Sequence, residues 1–593
     1  MTSSRTNIAF AALAAVCAVF DAACSPAPRP PAFAADTVLT NGTVLTVDAH
    51  DAVAQALAIK NGRIVFVGTS ADAEAYVGPS TQRIDLAGMT ATPGLIDAHA
   101  HFANGGGDLN RVIDVSYPAV KSAADIAQKV RERAATTPPG EWIQGRGWDE
   151  GKLDGHRYVY GEDLDEVSPE HPVYLTHTTG HYGVANGKAM QMAGITKATP
   201  DPPGGTIDRH PDGTPTGVLK EGALNLVRRL IPRPTPQQID EGIKRISAEF
   251  NKEGMTGAKD PGIFIDTWNG YQRVRAAGAL TTRVFVLWRM GQTLDDGRAL
   301  VDRIAPFTKP YVSTGDDLLV SGGVKLMIDG SGGARTAWMY DDWNKAYTDL
   351  DKGNKGYPLY DPRILREQIR VAHDAGVHIG VHAIGDQAID WVVDSYTQAL
   401  EATPTKGMRH SIIHANVPSD HAIETIATLQ HQYDAGYPEP SASFMWWIGD
   451  NYAANFGKDR SLRMNPFKTY LAKGIQWAGA SDFSVTPFAG RYGLWASLAR
   501  ETLLGVHGKT PFGMDQAVDA KSALRSFTIW AAYQLFLEKK TGSLEVGKYA
   551  DVAVWNVNPY TATPDAIKDM TCQLTLLNGD VVYRLERAPA ATH

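Results

Sequence analysis

Short apolar runs bounded by Gly, Asp or Pro recur along the middle of the chain, separated by stretches long enough to hold a crossover helix. They fall at 255–260, 283–290, 322–329, 378–383, 409–415, 441–446 and 474–482. An earlier run spans 91–102, where Gly94-Leu95-Ile96-Asp97 leads into His99 and His101. Eight such strands alternating with helices predict an α/β chain curled into a parallel (β/α)8 barrel, with its site at the C-terminal strand ends.

Outside the barrel the pattern shifts toward alternation. Residues 36–90 alternate strand and turn signals around Asn41-Gly42 and Asn61-Gly62, and the segment 542–583 repeats the style around Asn578-Gly579. Asn-Gly between such runs marks a tight hairpin. The pattern allows two independent caps or one body built from both ends. The stretch 103–250 follows the first barrel strand, is rich in Gly, Pro, Asp and aromatics, and has strand-like runs at 141–148 and 172–178. Loops at that position line a barrel's mouth, so it is expected to be a lid or pocket subdomain.

The start of the chain carries export signals. Arg5 precedes the apolar run Ile8 to Phe20, too short to span a membrane but suited to a signal core, and Ala32-Phe33-Ala34 offers a cleavage site. The expected segments are therefore a signal peptide at 1–34, β structure at 35–90, the barrel at 91–535 with its insertion at 103–250, and β structure at 536–593. The mature protein is expected to be periplasmic or secreted. Cleavage before Cys24 would instead leave a lipid anchor there. Of the three cysteines, Cys17 and Cys24 belong to the leader and Cys572 stands alone, so neither a disulfide framework nor a thiolate metal site is available.

A chain of 593 residues ordinarily makes several domains, but a barrel with insertions also reaches this length. The net charge of −8 gives no basic footprint for nucleic acid, which leaves a small molecule as the expected partner and a homo-oligomer as an open possibility.

Histidines two apart in a strand share a face. His99 and His101 thus make half of a metal site, or simply two polar groups on a half-exposed strand. The joint pattern says more. Potential metal donors fall within or at the ends of five runs: His99 and His101 on the first, Lys325 on the fourth, His382 on the fifth, His414 on the sixth and Asp482 ending the eighth. His378 and His410 begin their strands, at the wrong end for catalysis. An imidazole and carboxylate set without thiolate suits zinc.

These residues carry a family resemblance. Gly-Leu-Ile-Asp-Ala-His-Ala-His (94–101), Val-Lys-Leu-Met-Ile-Asp-Gly (324–330), Val-His-Ala-Ile-Gly-Asp-Gln-Ala-Ile-Asp (381–390), Ile-Ile-His-Ala (412–415) and Gly-Ala-Ser-Asp (479–482) resemble the amidohydrolase superfamily. Within it the chain is similar to the amidohydrolase-3 branch of YtcJ-like proteins and N-substituted formamide deformylases. Gly145-Arg146-Gly147-Trp148-Asp149, His181 with Asn186, Thr216-Gly217-Val218-Leu219-Lys220-Glu221, Gly330-Ser331 and Arg335-Thr336-Ala337 extend the likeness, which runs from residue 35 to 583.

The resemblance implies a distorted barrel, a small β-sandwich built from both chain ends, one or two divalent ions and hydrolysis at a carbonyl. In that scheme His99, His101 and Asp482 hold one ion and His382 and His414 the other. Lys325, carboxylated by carbon dioxide, bridges them, and Asp482 also serves as general base and then acid. Flanking Val324, Leu326, Met327 and Ile328 suggest that Lys325 is buried, which would make it a reactive amine.

His181, Trp148 and Glu221 in the insertion, with Arg335 and Trp446 after the fourth and seventh strands, are candidate substrate contacts. Each is equally readable as local packing. The leading expectation is a metal-dependent hydrolase of a non-peptide C–N bond, of the N-acyl or N-formyl amide class. An ester or lactone hydrolase is the nearest alternative. A non-catalytic periplasmic binding protein is a third, against which the complete ligand set argues.

Overall fold

The computed structural model describes residues 33–308, 315–343 and 353–586. The leader through residue 32, including Cys24, lies outside them. Among the described residues no helix is long and apolar enough to cross a membrane.

Seven strands form a parallel sheet in sequence order: β1 (Leu95–Asp97), β2 (Met255–Ile263), β3 (Arg283–Arg289), β4 (Leu319–Met327), β5 (His378–Ala383), β6 (Ser411–His414) and β7 (Tyr437–Glu439). Helices Ile265–Ala276, Leu294–Thr308, Pro362–Asp374, Asp386–Ala402 and Asp420–Tyr433 follow β2 to β6 in turn. The helix boundaries are written locally. Pro362 occupies the first turn behind the Asp361 cap, and Ser419 Oγ accepts from Ala422 N at 3.0 Å. Helix Asp386–Ala402 buries Ile389, Val392, Val393, Tyr396 and Leu400, a stripe at helical spacing. It joins the core that holds Val324, Ile379, Val381 and Ile412.

Two expected strands are corrected. Residues 441–446 do not make the seventh strand: β7 lies earlier, and Ser443–Trp447 is a short helix. The aromatic run that reads as β-prone instead packs its rings, with Trp446 4.6 Å from Tyr492 and 5.8 Å from Trp495. The eighth run, 474–482, forms no regular strand. It still bridges the two sheet edges, because Ala478 N and Ala480 N donate to the Pro438 and Pro440 carbonyls at 3.1 and 3.3 Å, Ala98 N donates to Gly479 O at 3.0 Å, and Asp482 N to His99 O at 2.7 Å. Pro438 and Pro440 have no N–H to return, so that side of the ladder is bonded in one direction only.

Between β1 and β2 lies a six-stranded sheet ordered Gly205–Arg209, Pro215–Glu221, Tyr182–Ala185, Val173–His177, Ile143–Trp148 and Ile113–Asp114. It has its own core around Trp148, Leu175, Tyr182 and Val184. At the chain ends, strands Val552–Trp555, Cys572–Leu577 and Asp580–Arg584 share a sheet with Thr43–Leu45, Val53–Ala54 and Thr90–Pro93. A four-stranded sheet from residues 37–85 shares buried Leu39, Leu57 and Ile64 with Val552, Val554 and Leu576. Asn61 and Gly62, and likewise Asn578 and Gly579, take positive φ, as two-residue hairpin turns require.

A buried ion pair ties this body to the barrel. The Asp551 carboxylate accepts from Arg283 Nε at 2.6 Å and Nη2 at 3.0 Å, from Thr541 Oγ1 at 2.8 Å and from Asn578 N at 3.0 Å. Removing one member of such a pair strands the other charge. Asp551→Ala is therefore expected to cost about 3–5 kcal/mol, read in urea unfolding, and Arg283→Met in the same chain to recover much of it. A loss below about 1 kcal/mol would mean that water reaches the guanidinium.

Candidate active site

The first histidines stand just past the end of β1. Asp97, fully buried, accepts from His99 N and Ser481 N, both at 3.0 Å, and from Ser481 Oγ, which fixes the chain on either side of the site. Burial pushes Asp97 up to about 7. His414 ends β6 with φ +73°, Ala415 follows at +43°, and Asp482 sits at +56°, conformations that non-glycine residues rarely take and that bend the chain into the cavity.

Asp482 is the hub. Its Oδ1 lies 3.3 Å from both His99 Nε2 and His101 Nε2, and its Oδ2 lies 4.0 Å from His414 Nε2. The rings pack in series: His99 and His414 centroids are 5.0 Å apart, His414 and His382 4.6 Å, and His382 and His181 5.2 Å. Burial holds His99 and His382 well below the usual imidazole range and His414 down to about 3, so these rings are neutral donors. Burial alone would raise Asp482, but the imidazoles of His101 and His99 hold it well below the carboxylate range.

The donor set fits a cation. His99 Nδ1, His414 Nδ1 and Asp482 Oδ1 are buried without a hydrogen bond among the described residues, although buried polar atoms are normally paired. His99, His101 and Asp482 group closely enough to ligate one ion. His382 is turned differently, since its Nε2 donates to Gly330 O at 2.9 Å and leaves Nδ1 as its lone-pair nitrogen. Lys325, on β4, faces the same cavity; it is buried and forms no ion pair among the described residues. Burial lowers its amine to about 7.

The cavity these groups line has a volume of about 520 Å³, the size of a small-molecule site. His181 and Glu221 enter it from the insertion as a dyad, His181 Nδ1 lying 3.0 Å from both Glu221 oxygens. Against the effect of burial, Glu221 raises the His181 pKa. Glu221 also accepts from Thr336 Oγ1 at 2.6 Å.

Three expected substrate contacts lie elsewhere. Trp148 is fully buried in the insertion core, where its Nε1 donates to Leu175 O at 3.2 Å. Trp446 is packed among aromatics away from the cavity. Arg335 lines a neighbouring cavity of about 230 Å³, with its Nη2 3.5 Å from Tyr158 Oη. In each case the side chain serves a packing contact that a single sequence does not reveal.

Sequence reasoning also passed over polar groups that the fold brings inside. Lys259 on β2 is buried and paired with Glu439 of β7 across the barrel, and Arg146, Arg228 and Arg289 line the cavity. Position at the end of β3 is the one signal that would have flagged Arg289. A second carboxylate group, Asp149 and Glu150 with His177, has its own partners. Tyr182 Oη lies 2.8 Å from Glu150 and 2.7 Å from His177 Nε2, and the Lys152 ammonium stands 3.2 Å from Asp149.

Comparison with known proteins agrees with this geometry. The profile of the amidohydrolase family matches residues 82–583. The chain belongs to the amidohydrolase family. It is 30% identical to a putative amidohydrolase YtcJ of Bacillus subtilis (strain 168), over 86% of this chain and 92% of that one. It is 28% identical to an N-substituted formamide deformylase of Arthrobacter pascens, over 93% and 98%. A structure of an uncharacterized metal-dependent hydrolase from Pyrococcus horikoshii OT3 superposes with a TM-score of 0.68 at 24% identity, over 89% and 99%, and shows the same barrel-like fold. This amidohydrolase is therefore an enzyme whose chemistry is to be sought in the cavity at the ends of its parallel strands.

Proposed function

We propose that this amidohydrolase hydrolyses a non-peptide C–N bond, in an N-acyl or N-formyl amide, with one or two zinc ions in its cavity. The observation that carries the reading is the convergence of His99, His101 and His414 Nε2 on the buried Asp482 carboxylate at the strand ends. Its likeness to a formamide deformylase supports the amide class. His99, His101 and Asp482 would hold one ion, and His382 and His414 the other. Bound divalent ions supply Lewis acidity to a carbonyl and bring the pKa of water toward neutrality.

Lys325, which lines the same cavity, would supply a further ligand once carboxylated. A neutral amine adds to the carbon of carbon dioxide, an N–C bond forms and one proton leaves, giving an anionic carbamate. Its lowered pKa leaves a substantial fraction neutral near pH 7. Asp482, ionised and 3.3 Å from two imidazoles, would take the proton of the attacking water and later give it to the leaving amine. His181, held through Nδ1 by Glu221 on the cavity wall, would in its protonated form offer its other N–H to charge growing on the carbonyl oxygen. The two sheets made from the chain ends would act as one supporting sandwich, and the insertion as the cavity's cover.

The reading is tested with protein stripped by chelator and then given zinc. Activity on N-formyl and N-acetyl amides should vanish and return, and elemental analysis of untreated protein should find one to two divalent ions per chain. Esters and lactones turned over while every amide stays inert would replace the amide reading. Full activity without stoichiometric metal would remove it.

A further inference from the structure

The cavity wall away from the histidines is cationic. Arg146 from strand Ile143–Trp148, Arg228 ending the short helix Asn225–Arg228, and Arg289 ending β3 all line it. Arg289 lies opposite Lys325 in the β3–β4 register, which sets it beside the proposed metal-bridging lysine. Among the described residues one carboxylate lies within 4 Å of these guanidiniums: Asp108 Oδ2, 3.9 Å from Arg146 Nη1. The other contacts are neutral. Arg146 Nη2 is 3.5 Å from Thr178 O, Arg228 Nη2 donates to Gly180 O at 3.2 Å, and the Arg228 guanidinium lies 5.7 Å from the Tyr174 ring. Arg146 Nε is buried without a partner, and among the described residues Arg289 forms no ion pair.

Three guanidiniums against one carboxylate leave an excess of positive charge in a partly dry cleft. The other carboxylates of the cavity are engaged, Glu221 with His181 and Thr336, and Asp482 with the histidines. Burial, with Arg228 close by, holds both Arg146 and Arg289 below the ordinary guanidinium range. Gathering like charges this way is unfavourable unless an anion joins them, and a guanidinium fork matches an oxyanion in two hydrogen bonds.

We propose that Arg146, Arg228 and Arg289 form an anion subsite of the catalytic cavity, and that the substrate is an amide carrying a carboxylate remote from the bond that is cut. The inference rests on the amide-hydrolase reading of the same cavity and narrows it. A neutral amide would leave Asp108 as the nearest counterion for three guanidiniums.

The test gives zinc-loaded enzyme matched N-formyl amides that end in a carboxylate, a carboxamide or a phosphate. The kcat/KM ratio of carboxylate to carboxamide is expected to be roughly ten- to hundred-fold, the range of charge-assisted hydrogen bonds. That ratio should fall toward one in Arg228→Gln and Arg289→Gln and be partly kept in Arg289→Lys. A wild-type ratio of one or less overturns the subsite and leaves the amide reading standing. No turnover of any amide overturns both, and a preference for phosphate over carboxylate overturns the carboxylate assignment. Calorimetry supplies a readout apart from catalysis: hexanoate, but not hexanamide, should bind chelator-treated protein, more weakly as salt rises. Equal binding of the two overturns the subsite.

Discussion

Asp482→Asn is expected to keep most of its bound zinc and to lose kcat by roughly 10²-fold or more, because the substitution separates holding an ion from moving a proton. The asparagine oxygen occupies the place of a carboxylate oxygen that lies 3.3 Å from His99 and His101, so a donor remains where these imidazoles converge. The amide has no basicity to accept a proton from water. The hydrogen bond from Asp482 N to His99 O is made by the backbone and survives the change, so the chain should stay in place. Elemental analysis and steady-state kinetics on the same preparation decide the matter. A kcat within about threefold of wild type would assign the proton to another group, with His181 the next candidate.

The parts of this molecule that sequence makes legible are those in which one local pattern has one structural meaning. β2 to β6 fall within a few residues of their apolar runs, because a buried parallel strand is apolar on both faces and Gly or Asp marks its ends. Histidines at such ends stand out because imidazole has little reason to fall at the ends of three apolar runs by chance. β7 lies before the expected run, in a segment whose prolines interrupt a strand pattern but whose Pro438 and Pro440 carbonyls serve as ladder acceptors. The neighbouring Phe444, Met445 and Trp446 read as a strand, but their burial is paid for by rings from Tyr492 and Trp495, far away in sequence.

Side chains gathered by tertiary structure were the least visible. Arg146, Arg228 and Arg289 come from the insertion sheet, a short helix and a barrel strand, and nothing local to any of them announces the other two. Trp148 shows the converse. It sits in the run Gly145-Arg146-Gly147-Trp148-Asp149, where plain alternation would put Arg146 and Trp148 on one face, but the register shifts between them at Gly147 (φ +110°), so Arg146 lines the cavity while the indole packs the insertion core. One residue of that run lines the cavity and its neighbour two along packs the insertion core, a distinction made by the irregularity at Gly147, which a single sequence leaves open.

Lys325→Ala should behave in the opposite way to Asp482→Asn: metal content and activity fall together. Without a carbamate at this position, the ion that His382 and His414 would hold loses an anionic donor. Loss of fold is not the expected cause. A buried amine with its pKa lowered to about 7 is a cost to the metal-free protein, so the alanine chain without metal should be at least as stable as wild type without metal in thermal melts. The space vacated is the length of a lysine and its added carboxylate, which acetate or propionate can partly fill. Either acid, at millimolar concentration, should restore part of both zinc content and kcat, while the same acids leave wild type unimproved. Full zinc occupancy and full activity in Lys325→Ala would exclude the bridge. The chemistry would then rest on one ion held by His99, His101 and Asp482, with His382, whose Nε2 already donates to Gly330 O, reassigned to orienting the substrate.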